Sequence, residues 1–100
     1  MDNQFDTKKI VADFGLGGMD SREQERMIEK IGNLLFEAVV ERSVDVMDET
    51  TMNDFDKEVK GAGSDYQKII SFLKGRVPGF DSIVTEEMSR LKRATSGIFA

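Results

Sequence analysis

Cysteine, histidine and tryptophan are absent from this 100-residue sequence, and proline occurs once. Without cysteine there is no disulfide framework, no thiolate ligand for a metal and no cysteine nucleophile. Without histidine the sequence also lacks the commonest general base and the commonest zinc ligand. Because small secreted domains often depend on disulfides, this composition predicts a reducing, cytoplasmic location. We expect neither a cofactor nor a metal site.

Segments that direct a protein to a membrane are missing as well. Met1–Gln4 has neither the basic stretch nor the apolar run that begins a signal peptide. No apolar run approaches the roughly 18 to 20 residues that a membrane-spanning helix requires. We therefore expect a protein without a membrane span.

The remaining composition is typical of one small folded domain. Hydrophobic residues make up 39% of the sequence and charged residues 33%, with seven phenylalanines. Such a chain can bury one core, so we expect a single domain over residues 1–100, frayed at 1–6 and 95–100. A net charge of −5 argues against a nucleic-acid surface, because such a surface needs clustered positive charge.

The spacing of apolar residues predicts an all-α fold, and the first two helices have recognisable ends. A short helix over Thr7–Phe14 stops at the glycine-rich turn Gly15–Gly18. Ser21 and Gln24 form a capping-box pattern that opens the longest helix. We expect this second helix to continue to about Met47.

Three further helices are predicted after the long one. The third is short and capped by Asp48, and a second capping box at Ser64–Gln67 opens the fourth. Gly75 and Pro78-Gly79 are expected to break the chain before the fifth. The side chains expected to face inward from these three helices are Met52, Phe55, Val59, Tyr66, Ile69, Ile70, Leu73, Phe80, Ile83, Val84, Met88 and Leu91. The short connections predict a compact bundle of four to five helices around the long central one.

The long helix carries two apolar stripes on roughly opposite sides at 100° per residue. The first stripe consists of Met27, Ile28, Ile31, Leu34, Leu35, Ala38 and Val39. The second stripe consists of Phe36, Val40, Val44 and Met47. Two interpretations of the second stripe stay open. In a monomer the first and last helices would cover it; otherwise it pairs with a second copy or a partner helix.

Two further features of the long helix need an interpretation. Arg42 lies near the middle of the first stripe, so we expect it to reach the edge or to pair with an acid such as Asp45. The run Val39–Val46 is rich in valine and could form a strand, but it continues the helical period. We therefore interpret this run as helix.

Acidic residues crowd the stretch after the long helix. Asp54, Asp56 and Glu58 resemble part of an oxygen-ligand set for calcium or magnesium. No register supplies the glycine and the glutamate that a calcium loop needs, and helical residues two apart point away from one another. We interpret these acids as a solvated face.

Three short patterns resemble enzyme or phosphate-binding motifs without the remaining parts of those motifs. Ser71–Lys74 has the serine-x-x-lysine spacing of penicillin-interacting enzymes, and Asp13-Phe14-Gly15 matches a kinase tripeptide. The turn Gly15–Gly18 precedes a helix but lacks the strand and the lysine of a phosphate-binding loop. We assign no catalytic residue.

Basic residues near the end of the sequence support a different class of function. Arg76, Arg90, Lys92 and Arg93 could contact nucleic acid. Favourable interaction with the carboxyl end of a helix explains them equally well, and two acids precede them on the predicted fifth helix. A nucleic-acid partner is therefore only the alternative.

Turns and helix starts follow a distinctive order along nearly the whole chain. The residues that give this order are Gly15–Gly17, the helix from Ser21, Met47–Glu49 before Phe55, Val77–Phe80, Glu86-Glu87 and Leu91. The order resembles a family of short, acidic, helical bacterial proteins classified only as a domain of unknown function. The sequence departs from that family where Gly61 and Gly63 interrupt it. The resemblance implies a helical fold and no assigned activity, so it transfers no functional residues.

We therefore predict a non-enzymatic helical module for protein–protein interaction or homo-oligomerisation, with the second stripe (Phe36, Val40, Val44 and Met47) as its interaction face. One alternative is a small regulator that contacts nucleic acid through the basic residues near the C-terminus. Another is a monomeric domain with a carboxylate-based enzymatic or small-ligand site.

Overall fold

Five α-helices account for the regular structure of the computed structural model, which describes residues 7–63 and 65–95. They are α1 (Thr7–Phe14), α2 (Ser21–Asp45), α3 (Glu49–Ala62), α4 (Tyr66–Arg76) and α5 (Phe80–Ala94). The described residues contain no strand, so the predicted all-α class is confirmed. The ends predicted to fray lie outside the described residues, except for Thr95, whose N–H and hydroxyl both donate to Leu91 O at the end of α5.

Aspartates begin the three helices in the middle of the chain. Asp20, Asp48 and Asp65 each accept a hydrogen bond through a side-chain oxygen from a backbone N–H in the first turn that follows. Asp48 is the cap that the sequence predicts. The prediction that Ser21 caps α2 is wrong, because Ser21 is already helical and Asp20 accepts from Glu23 N at 3.0 Å. An aspartate caps as well as a serine and adds negative charge where the helix dipole favours it.

An aspartate also caps α4, in place of the serine of the second predicted capping box. Asp65 accepts from Gln67 N at 3.2 Å and from Lys68 N at 3.4 Å at the start of α4, whereas Ser64 lies outside the described residues. Gln24, the expected partner of Ser21, instead donates through its side-chain amide to Leu16 O at 3.0 Å. This bond ties α2 to the turn after α1.

Two helix ends differ from their predicted positions. The helix α2 ends at Asp45, two residues before Met47, and Val46 and Met47 form its closing turn. Gly75 does not break the chain, because it lies inside α4. The break comes at Val77, whose extended backbone (φ −100°, ψ 118°) is the conformation favoured before a proline. Gly79 then adopts φ +71° at the start of α5, a conformation that favours glycine.

The long helix α2 packs against α1 and α5, and α3 pairs with α4. The helices α2 and α5 run antiparallel, since Arg42 meets Glu86 whereas Leu34 lies near Ala94. The molecule measures 45 × 24 × 22 Å. Its core consists of Ile10, Phe14, Leu16, Ile31, Leu35, Val39, Phe55, Ile69, Leu73, Val77, Phe80, Ile83, Val84 and Met88. The predicted central position of the long helix is therefore confirmed.

Some residues expected to face inward are exposed. Leu34, Val59 and Tyr66 retain 43%, 38% and 49% of their accessible surface. In contrast, Thr51 near the start of α3 is buried beside the α4 residue Arg76. Val59 lies near the end of α3, which packs mainly on α4.

Candidate functional site

The second stripe of α2 is partly covered within a single chain. Phe36, Val40, Val44 and Met47 are all half-buried and pack against the core. Phe36 stacks on Tyr66 with ring centroids 4.6 Å apart and an interplanar angle of 26°. The helix at this end of the stripe is therefore α4, and not the first or last helix that the monomer interpretation expected.

The stack reaches the protein surface. Tyr66 is the first residue of α4 and keeps 49% of its surface exposed although its ring lies on Phe36. Val59, in the last turns of α3, is 38% exposed. We call Val59, Lys60 and Tyr66 the α3–α4 tip. Tyr66 of this tip meets the second stripe at Phe36.

The α3–α4 pair is held by aromatic and charged contacts further along the two helices. Phe55 and Phe72 have ring centroids 5.9 Å apart. Arg76 lies over the Phe72 ring, 5.2 Å from its centroid, and its Nη2 atom is 2.9 Å from Asp54 Oδ2. These contacts fix the antiparallel pairing of α3 and α4, and thereby the position of the tip.

A charged cluster joins α2 to α5. Arg42 Nη1 lies 2.6 Å from Glu86 Oε1 and 3.1 Å from Glu87 Oε2, and Arg90 Nη1 also lies 3.1 Å from Glu87 Oε2. Glu87 is buried, whereas Glu86 is exposed. Hydrogen bonds to Glu86, and then to Glu87, raise the pKa of Arg42 above its usual value. Arg42 thus pairs with an acid as expected, but the acids lie on α5 and not at Asp45.

An apolar groove of about 160 Å³ lies beside this cluster. Its walls come from α2 and α5, and Glu87 and Arg90 line it with Leu34, Ala38 and Leu91. A second open groove of about 270 Å³ runs between α1 and α5. Among the described residues, no group of three or more acids is placed to hold a metal ion.

The four basic residues of the nucleic-acid alternative do not form one patch. Arg76 ends α4, whereas Arg90, Lys92 and Arg93 lie in the last turns of α5. The helix α5 begins at Phe80, and Arg90 lies roughly 15 Å further along it at 1.5 Å per residue. Arg76 and Arg90 are engaged by Asp54 and Glu87. Lys92 lines the groove between α1 and α5, on the other side of α5 from Arg90.

Residues of the kinase-like tripeptide and of the glycine-rich turn contribute to the packing of the fold. Phe14 is a core residue, and Asp13 forms an ion pair with Lys9 at 3.2 Å. In the glycine-rich turn Leu16 is fully buried and its N–H donates to Val11 O at 3.0 Å. The turn therefore anchors α1 to the core.

The comparison with protein families decides the affiliation of the chain. The family described as protein of unknown function (DUF5663) matches residues 10–95. The chain belongs to this family. No curated protein and no solved structure matches the chain. The match to DUF5663 extends from Ile10 in α1 to Thr95 after α5 and includes Gly61 and Gly63, so the expected resemblance to a domain of unknown function is confirmed over all five helices.

Within residues 7–63 and 65–95 of this DUF5663 member, no helix combines the length and the apolar character that a membrane span requires.

The cap of α3 predicts a dependence of stability on pH. Hydrogen bonds from the backbone N–H and the side chain of Thr51 lower the pKa of Asp48 from its ordinary value of 3.8. A lowered folded-state pKa gives stabilisation that is present above the unfolded value and is lost as the pH falls through the folded value. We therefore expect Asp48→Asn, which keeps the accepting oxygen but does not titrate, to flatten the loss of thermal stability in acid.

Thermal midpoints followed by circular dichroism from neutral pH to about pH 2 check this expectation. Below pH 3.8 the thermal midpoint of the wild type should fall further than that of Asp48→Asn. Equal losses in the two proteins would mean that the cap does not carry this pH dependence.

Proposed function

We propose that this DUF5663 member is a non-enzymatic protein-interaction module and that it binds its partner through the surface around the Phe36–Tyr66 stack. One observation carries the proposal: Tyr66 is half exposed although its ring is stacked on Phe36. The second stripe, which the sequence predicts as the interaction face, thus continues to the surface at this end. Val40, Val44 and Met47, the other residues of the stripe, are half-buried and pack on the core.

Tyr66 has the properties of a residue that contributes strongly to binding at protein interfaces. Tyrosine is enriched among the residues that dominate binding energy, because its ring buries a large area with little loss of conformational freedom. The ring of Tyr66 is held by Phe36, and Val59 adds an exposed aliphatic side chain at the same tip. A partner that covers the tip removes this apolar surface from water.

The source and cellular location of the protein and the class of its partner are part of the same proposal. The composition predicts a cytoplasmic location and the resemblance implies a bacterial source, and both expectations are part of this proposal. Nucleic acid is the less favoured partner, since Arg76 and Arg90 are already paired with acids of the same chain.

A photo-crosslinking side chain placed at Tyr66 tests the proposal in the native host. We expect p-benzoylphenylalanine at position 66 to give a discrete covalent adduct on irradiation, since a bound partner lies against this ring. The matched control carries the same group at Gln67, also exposed and adjacent in α4 but about 100° away around the helix. Mass spectrometry of the adduct distinguishes a second copy from another protein. No adduct at position 66, or equal adducts at both positions, would contradict the proposal.

A further inference from the structure

Another open groove, of about 400 Å³, lies along the first half of α2. We call it the methionine groove, and it is lined by Met19, Glu23, Arg26, Met27 and Lys30. Met19 and Met27 are half-buried and pack against the core, whereas the three charged residues are exposed. The groove therefore combines apolar surface next to the core with charged residues that reach the solvent.

The methionine groove continues the groove between α2 and α5. The α2 residues that line the two grooves follow one another at spacings of four, three, four and four, and so share one side of the helix: Glu23, Met27, Lys30, Leu34 and Ala38. The helix α5 runs antiparallel to α2 and ends at Ala94, which lines the same groove as Leu34. The direction of α5 therefore leads from Leu34 towards Lys30 and Met27.

The residues that follow α5 in the sequence, 96–100, lie outside the described residues. Glu87, Leu91 and Ala94 line the groove beside Leu34 at spacings of four and three, and Ile98 continues this pattern by a further four. Four residues span about 6 Å at a helical rise and about 13 Å when extended.

The corresponding distances along α2 match this reach. Lys30 and Met27 lie about 6 Å and about 10 Å before Leu34 at 1.5 Å per residue. Either backbone that keeps the direction of α5 therefore brings Ile98 to the part of α2 around Lys30 and Met27.

A short apolar segment suits this groove better than a charged partner. Glu23 is opposite in sign to Arg26 and Lys30, so the charges favour neither a strongly acidic nor a strongly basic partner. Residues 96–100 carry no ionisable side chain and include Ile98 and Phe99. Because they are joined directly to α5, their effective concentration at the groove is high, and a separate partner has to compete with it.

We infer that the methionine groove is the docking site of residues 96–100 of the same chain, with the side chain of Ile98 against Met27. The thioether of methionine adapts its shape to such a contact, and the aliphatic stems of Arg26 and Lys30 can pack along the segment. Phe36 lies about 180° around α2 from Met27. The inference thus concerns a different surface from the Phe36–Tyr66 stack and does not depend on the proposed function.

Methyl NMR spectroscopy of the full chain tests the contact. With labelled isoleucine and methionine methyl groups in a deuterated background, we expect a nuclear Overhauser cross-peak between the Ile98 δ1 and Met27 ε methyl groups. In a mixture of chains labelled only at isoleucine with chains labelled only at methionine, the cross-peak should vanish, because both residues belong to one chain. A cross-peak that persists in the mixture would place the segment in the groove of a second copy. That result, or no cross-peak in the doubly labelled chain, overturns the inference.

Methionine oxidation provides a second readout with an internal control. Ile98→Ser should make Met27 react several-fold faster with hydrogen peroxide, because the docked segment covers its sulfur atom in the wild type. Met52 is also half-buried but lies on α3, so its rate should stay the same. Peptide mapping by mass spectrometry measures both rates. Equal Met27 rates in the two proteins, or the same acceleration at Met27 and Met52, would show that no segment protects the groove and would also overturn the inference.

Discussion

Replacing Leu35 by alanine should lower the free energy of unfolding by about 3 kcal/mol, the largest effect expected of any single substitution proposed for this domain. Leu35 is fully buried at the centre of α2, among the core residues contributed by the other helices. Truncation removes apolar contacts and leaves a cavity that close-packed neighbours fill only in part. Urea denaturation followed by circular dichroism measures the change at unaltered slope.

Leu34→Ala is the matched control for this prediction. Leu34 is the neighbouring residue of α2, has the same side chain and keeps 43% of its surface exposed in the groove beside α5. Its truncation should lower the free energy of unfolding by less than about 1.5 kcal/mol, since much of its surface is hydrated in the folded state. Equal losses for the two leucines would show that α2 is rotated relative to the orientation described above.

The contrast between these two leucines shows how far apolar periodicity predicts the fold. Both belong to the first stripe, and the spacing places them on the same broad side of the helix. The structure buries Leu35 among the core residues and leaves Leu34, about 100° around the helix, exposed in the groove between α2 and α5. Periodicity gives the apolar side of a helix, but the position of the partner helix decides which residues on it become core.

Helix starts were predicted to within about one residue, and the errors have a common chemical origin. Asp20 and Asp65 each precede or follow a serine, and both residue types cap helices with similar strength. The choice between them depends on the backbone of the turn, which the sequence does not display. Gly75 was expected to break the chain, but a helix tolerates one glycine, and the stop is set by Pro78 acting on Val77.

Contacts between distant residues could not be predicted from the sequence. Arg42 was expected to pair with an acid, but its partners lie 44 and 45 positions away on α5. The Phe36–Tyr66 stack likewise joins two helices whose mutual position no local pattern gives. The prediction of the second stripe as a surface of interest came from its spacing alone, whereas the exposure of Tyr66 needed the placement of α4.

Replacing Glu87 by glutamine should lower the free energy of unfolding by about 2 kcal/mol. The carboxylate of Glu87 is buried between Arg42 and Arg90, and its Oε2 atom is 3.1 Å from a guanidinium nitrogen of each. Glutamine keeps the size of the side chain but removes the negative charge that both arginines contact. Because the carboxylate is buried while the arginines keep 35% and 66% of their side-chain surface exposed, added salt should reduce the loss only in part. Urea denaturation at low and high ionic strength measures both quantities.

Glu86→Gln provides the comparison that makes the Glu87 result specific. Glu86 approaches Arg42 more closely, at 2.6 Å, and contributes most to the raised pKa of Arg42. Its side chain is nevertheless 58% exposed, so water replaces much of the lost interaction and the expected change is below about 1 kcal/mol. Burial, and not the shorter distance, should therefore decide which glutamate holds α5 on α2. A larger loss from Glu86→Gln than from Glu87→Gln would show that the exposed contact dominates and that the buried carboxylate contributes little net stability.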